Sequence, residues 1–185
     1  MTLFRASAIK HGLRLRHAVE IILATILLEL LLSCQPDVTS TIVPAPESIR
    51  ESAFTEAQRY IGMPYEWGGQ DFPRGIDCSG LLVNVYHAAT IDTEYDLLFD
   101  DATAFGMYSF FVESITFPSR GDLVFMGDAT VTHVAILDRV EDGIVYFIDA
   151  YSAADEGGQV VARSYPVDSP KIISYGRMLL RRRRP

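Results

Sequence analysis

Apolar positions along this chain change their period more than once. From Ile21 to Leu32 they run almost unbroken, and from Ser48 to Ile61 and Cys78 to Ala89 they recur at helical spacing. Beyond Gly121 they alternate or gather in short runs bounded by turn residues. The spacing predicts a helix over 48–61, with Ile49, Phe54, Ala57 and Ile61 on one face. Ser48 and Glu51 stand in capping-box spacing, and Gly62, Met63 and Pro64 stop the pattern. A second helix runs from about Cys78 to Ala89 with Leu81, Leu82 and Val85 inward, and a third from Asp100 to Phe111, capped by an aspartate. Strands follow over 121–127, 132–140, 144–149, 159–164 and 174–180, the second and third joined by Glu141-Asp142-Gly143. Helices first and consecutive strands afterwards predict an α+β domain: N-terminal helices packed on an antiparallel sheet of about five to six strands.

The unbroken run has a different character. Arg5, Lys10, Arg14 and Arg16 precede it, and no acid occurs before Glu20. At 12 residues it is short for a bilayer span, which needs about 20, and it suits the apolar region of an export signal. It ends in Leu31-Leu32-Ser33-Cys34, which resembles the bacterial lipobox, cut before a cysteine that then carries lipid. Glu29 inside the run departs from that pattern, and a short buried or membrane-surface helix is the alternative. The expected organisation is a signal peptide over 1–33, lipidated Cys34 and a flexible tether over 34–47, and a folded domain over 48–185. Lipid on Cys34 excludes a disulfide to Cys78, the one other cysteine. Gln35 follows where many Gram-negative bacteria use aspartate to retain lipoproteins at the inner membrane. The expected location is therefore the bacterial envelope, at the outer membrane facing the periplasm if the source is such a cell.

Composition narrows the partners. Twenty-four acidic against 16 basic residues, a formal charge of −8, argue against nucleic acid. Asp92, Glu94, Asp96, Asp100 and Asp101 form an acidic stretch read as a solvated loop or, alternatively, a cleft wall. Arg181 to Arg184 read as a solvated strand end, with contact to anionic lipid or wall polymer as the alternative. No metal-ligand cluster stands out, and neither metal nor cofactor is expected.

Candidate chemistry centres on Cys78, where the loop Gly75-Ile76-Asp77 becomes a helix. Unpaired N–H groups and the positive dipole end at a helix start stabilise a thiolate, although many lone cysteines are simply buried. A thiolate nucleophile needs a histidine. His11 and His17 fall in the export segment, and His87 lies about 13 Å along the same helix, out of reach. His133, at the start of a strand, is the candidate base. Hairpin geometry sets Asp149 roughly across from it, where a carboxylate can orient the imidazole; a local turn bond is the alternative for that aspartate.

Four segments occur in order: Tyr60-Ile61-Gly62-Met63-Pro64-Tyr65-Glu66-Trp67-Gly68-Gly69, Ile76-Asp77-Cys78-Ser79-Gly80-Leu81, Arg120-Gly121-Asp122-Leu123-Val124-Phe125 and Thr132-His133-Val134-Ala135-Ile136. In these motifs the chain resembles the NlpC/P60 cysteine peptidases, cell-wall hydrolases with a trimmed papain-like fold. The resemblance implies that Cys78 is the nucleophile and His133 the base. It implies that Tyr65 helps bind the oxyanion beside the Cys78 backbone N–H. Asp77 and Ser79 match positions that contact the free amine of a stem peptide; loop packing and helix capping are their other roles. Where the family usually has histidine or an amide residue, this chain has Asp149. The implied function is an endopeptidase on peptidoglycan stem peptides, cutting at the γ-D-glutamyl–diamino acid bond and held at the membrane by its lipid as a monomer. An amidase or acyltransferase on the same scaffold, or an inactive wall-binding lipoprotein, are the alternatives.

Overall fold

The computed structural model describes residues 40–71, 74–152 and 157–183. Strand β1 (Thr41–Pro44) leads into helix α1 (Glu47–Arg59), then the short hairpin β2 (Gln70–Asp71) and β3 (Gly75–Ile76), and helix α2 (Cys78–Thr90). Strand β4 (Tyr95–Leu97), helix α3 (Ala104–Phe110) and β5 (Val112–Ile115) follow. Five further antiparallel strands, the last four of them longer, complete the domain: β6 (Leu123–Met126), β7 (His133–Glu141), β8 (Ile144–Tyr151), β9 (Gln159–Pro166) and β10 (Ile172–Arg182). The sheet has eight strands in the order β1-β10-β6-β7-β8-β9, with β4 and β5 also pairing β10. The fold is α+β with an antiparallel sheet, as expected, although three short strands enlarge it beyond five or six.

The sheet divides its apolar side chains by strand alternation. Leu123 and Phe125 of β6, Val134 and Ile136 of β7, and Ile148 and Ala150 of β8 join Ile49, Phe54, Leu81 and Val85 of the helices in the main core. Their neighbours Val124, Met126, Ala135, Leu137, Val145 and Phe147 form a smaller cluster on the other face, with Tyr165 and Tyr175 against it. Central strands with both faces buried account for the near-continuous apolar runs of β6 and β7.

Several boundaries differ from the pattern-based expectation. The domain reaches farther toward the N-terminus than Ser48: β1 pairs β10 from Thr41↔Arg182 to Pro44↔Leu179, and Ala45 is buried with its N–H on Met178. Residues 41–45 are therefore structure and not tether. The cap of helix α1 lies two residues before Ser48, at an extended Pro46 with no side-chain cap. Proline suits a helix start because its missing N–H needs no partner there. Thr103, not an aspartate, caps α3, its Oγ1 accepting from Gly106 N–H at 3.1 Å.

Part of the acidic stretch pairs with part of the arginine run. Register places Arg181 against Asp96 and Arg182 against Tyr95. Arg182 pairs with Glu94 at 3.0 Å and Arg183 with Asp96 at 3.2 Å. The hydrogen bond and charge of Arg182 hold the Glu94 carboxyl below its usual range. The stretch is in part an edge strand rather than a free loop, and Arg181 and Arg182 are the exposed end of β10, as expected, with ion pairs from Arg182 and Arg183 to that edge. No helix among the described residues is long and apolar enough to cross a membrane. The expected signal peptide and lipidated Cys34 lie outside the described residues.

Candidate active site

Cys78 is the first residue of α2, partly exposed, and its N–H has no intrahelical acceptor at that position. Asp77 forms the cap beneath it. One carboxylate oxygen accepts from Gly80 N–H at 2.7 Å and Ser79 Oγ at 2.9 Å, while the other takes Gly68 N–H at 3.1 Å. Asp77 and Ser79 thus organise the helix start and tie it to the glycine-rich loop. Gly80 lets that loop close in: a Cβ there would lie 2.4 Å from the Gly69 carbonyl oxygen.

His133 opens β7 and faces the thiol. Its Nε2 lies 2.5 Å from Asp149 Oδ2, and Cys78 lines the same cleft and raises the pKa of the ring. A carboxylate only accepts, so Nε2 carries the hydrogen and Nδ1 is left for the sulfur. Burial is the largest influence on His133 and disfavours the imidazolium. The hydrogen bonds and charges of Asp149 and Cys78 together outweigh it and raise the pKa to about 9. Continuing the β7–β8 register from Ile136↔Ile148 sets Asp149 against Ala135, so His133 and Asp149 meet diagonally on one face rather than directly opposite. His87 is exposed in the last turn of α2, away from the site.

Asp149 is completely buried, and pattern reasoning missed its second partner. Arg163 Nε donates to Asp149 Oδ1 at 3.0 Å, and Nη2 to Oδ2. Arg163 lies on β9 opposite Phe147 and packs its guanidinium 3.9 Å from the Tyr151 ring centre. In the sequence it is one polar residue of an alternating strand, with no local sign of a partner.

Tyr65 sits on the loop before α2, its backbone N–H bonded to Gly158 O at 2.7 Å. Burial first, then the nearby Cys78 and Asp77, raise its pKa above the ordinary tyrosine value. The phenol therefore remains a donor. Tyr65, Trp67, Cys78, His133 and Arg163 line an open cleft of about 500 Å³, with the Asp128–Lys171 ion pair on its rim. Among the described residues no group of three or more potential ligands could hold a metal. The arrangement sets a thiol, an imidazole held by a buried carboxylate, and a tyrosine side by side in one cleft.

The model of the NlpC/P60 family matches residues 62–164, more than half of the chain and all the elements just described from the glycine-rich loop to β9. The chain belongs to the NlpC/P60 family. Its sequence is 40% identical over 82 residues to Protein P54 of Enterococcus faecium, covering 44% of this chain and 15% of that protein. It is 36% identical over 80 residues to Dipeptidyl-peptidase 6 of Lysinibacillus sphaericus, covering 42% and 27%. The matched region is thus a small part of both relatives. Among solved structures, an NLP/P60 protein of Staphylococcus aureus described as similar to lipoprotein superposes with a TM-score of 0.50 at 26% identity, over 81% of this chain and 47% of that one. The Resuscitation Promoting Factor Interacting protein RipA shares the fold, with a TM-score of 0.51 at 20% identity over 83% and 78%. NlpC/P60 membership makes the trimmed papain-like fold the frame of this site.

Proposed function

We propose that this chain is a cysteine peptidase of the bacterial cell wall that cleaves peptidoglycan stem peptides at the γ-D-glutamyl–diamino acid bond. The observation that carries the reading is the Cys78–His133–Asp149 constellation at a helix start, open to a cleft. Family membership and a relative that bears a peptidase name support it.

The Cys78 thiolate attacks the scissile carbonyl carbon, and the oxyanion accepts from the Cys78 N–H and the Tyr65 hydroxyl. The tetrahedral intermediate collapses as His133 gives its proton to the leaving amine, and a thioester remains. His133 then takes a proton from water, whose oxygen attacks the thioester. The carbon–sulfur bond breaks, the product acid leaves, and the Cys78 thiolate is restored beside protonated His133. Asp149 holds the imidazole in one tautomer throughout. Asp77 and Ser79 contact the amine end of the stem peptide at the edges of their capping bonds. Lipid at Cys34 keeps the monomeric domain at the membrane, in reach of the wall and facing the periplasm where an outer membrane exists.

Incubating the protein with muropeptides and mapping products by mass spectrometry tests this reading. The expected product set is a peptide ending in γ-D-glutamate with a free diamino-acid amine, lost in Cys78→Ala. Cleavage at the sugar–lactyl amide instead assigns an amidase, and no turnover with no effect of Cys78→Ala overturns the catalytic reading.

A further inference from the structure

Asp149 poses a problem of charge. A fully buried carboxylate beside an imidazole is expensive unless it is paired, and its full charge would hold the imidazolium too tightly for a proton carrier. The structure supplies a counter-charge on the neighbouring strand. Arg163 gives Asp149 two bonds, one to each oxygen, and so touches the same oxygen that receives His133 Nε2. Such a fork fixes the carboxylate plane, and with it the direction of the imidazole. Arg163 is itself fixed by the Tyr151 ring beneath it and by Phe147 and Tyr165, each 5.6 Å from the guanidinium carbon.

We propose that Arg163 is a positioning residue of this site: it clamps Asp149 and offsets the charge that Asp149 brings to His133, so that β8 and β9 hold the imidazole as one charge-balanced unit. Among the described residues, the other titratable groups that line the cleft with His133 are Cys78 on α2, Tyr65 on its leading loop, Tyr151 on β8 and Tyr165 on β9. The Asp128–Lys171 pair in the same cleft is balanced within itself. Arg163 is therefore the cation placed to set how strongly Asp149 acts. The direction of the Arg163 pKa agrees: burial opposes its charge, and the bond and charge of Asp149 more than make this up.

The inference rests on Cys78 and His133 being the reactive pair, and its test needs no peptidoglycan. Iodoacetate alkylates a thiolate by displacement of iodide, and its own negative charge makes the rate fall when the neighbouring imidazolium loses its proton. Modification of Cys78 in the full chain is followed against pH by peptide mass spectrometry. Arg163→Met should move the alkaline fall upward by about one pH unit, because Asp149 is left uncompensated. Asp149→Asn should move it downward, with an unpaired guanidinium beside the ring. The double variant should lie between the two, above Asp149→Asn alone. An unmoved alkaline limb in Arg163→Met, or a double variant identical to Asp149→Asn, overturns the proposal. If Arg163→Met does not fold, Arg163→Lys carries the test. Lysine keeps the charge but cannot form the fork, so the limb should stay in place while the rate drops several-fold, and an unchanged rate overturns the positioning role. A bell-less profile in the unaltered chain overturns the reactive pair, a result separable from failure to cleave muropeptides.

Discussion

At the scale of the residue, His133 links the site to pH. Its folded pKa, about 9, stands above the ordinary histidine value. Proton binding therefore favours the folded state. The contribution is present in full below pH about 6.5 and is lost as pH rises through about 9. Denaturant midpoints should accordingly decline between about pH 7 and 9.5 in the unaltered chain, and decline less in His133→Asn. Parallel curves for the two proteins would contradict the sign. Cys78, His133 and Asp149 were all legible in the sequence, the first from a loop-to-helix transition, the second by elimination, the third from hairpin spacing. Arg163 was not. Alternation along β9 assigns its face, but the partner on that face depends on the β8–β9 register.

At the scale of the element, α2 is the piece on which the site is built. Asp77 caps it, Cys78 begins it, and Gly80 admits the loop that carries Tyr65. Gly80→Ala sets two effects against each other. Better helix propensity is worth up to about 1 kcal/mol, while an overpacked contact costs about 1–3 kcal/mol. The Cβ would meet a backbone oxygen at 2.4 Å, with Ile76 Cγ1 at 3.2 Å, so the clash should win. A lower thermal midpoint is expected, together with activity reduced by displacement of Tyr65, and a midpoint at or above that of the unaltered chain would refute the close approach. Strands β6 to β10 were legible because each carries its own alternation or an apolar run bounded by turn residues. Strands β1, β4 and β5 have three or four residues each with no such bounded run, and exist because β10 offers them an edge.

At the scale of the whole molecule, a buried ion cluster ties helix α1 and strand β10 to the segment before β6. Asp122, fully buried before β6, accepts two bonds of 2.8 Å from Arg177 on β10 and one of 2.8 Å from Ser119 N–H, with Arg50 of α1 at 3.6 Å. Tyr86 of α2 joins by donating to the Gly121 carbonyl at 2.6 Å. Taking one partner from such a group leaves buried charge uncompensated, typically at about 3–5 kcal/mol. Asp122→Asn should therefore lower unfolding free energy by about 3 kcal/mol in urea titrations, the low end of that range because Arg177 stays partly exposed. A loss below ~1 kcal/mol would assign the cluster a marginal role.

The sequence by itself determined what repeats or clusters locally: the helical faces of α1 and α2, the run of antiparallel strands, the cysteine at a helix start and the histidine at the start of a strand. Those features follow from neighbouring residues, whose spacing alone decides which side chains share a face. Tertiary structure decided what distant segments do to each other. It paired Glu94 with Arg182, 88 residues later, drew β1 into the sheet, and set Arg163 on Asp149. Ion pairs and edge strands carry no period of their own, since a charge acquires its partner only when the sheet register brings one within reach.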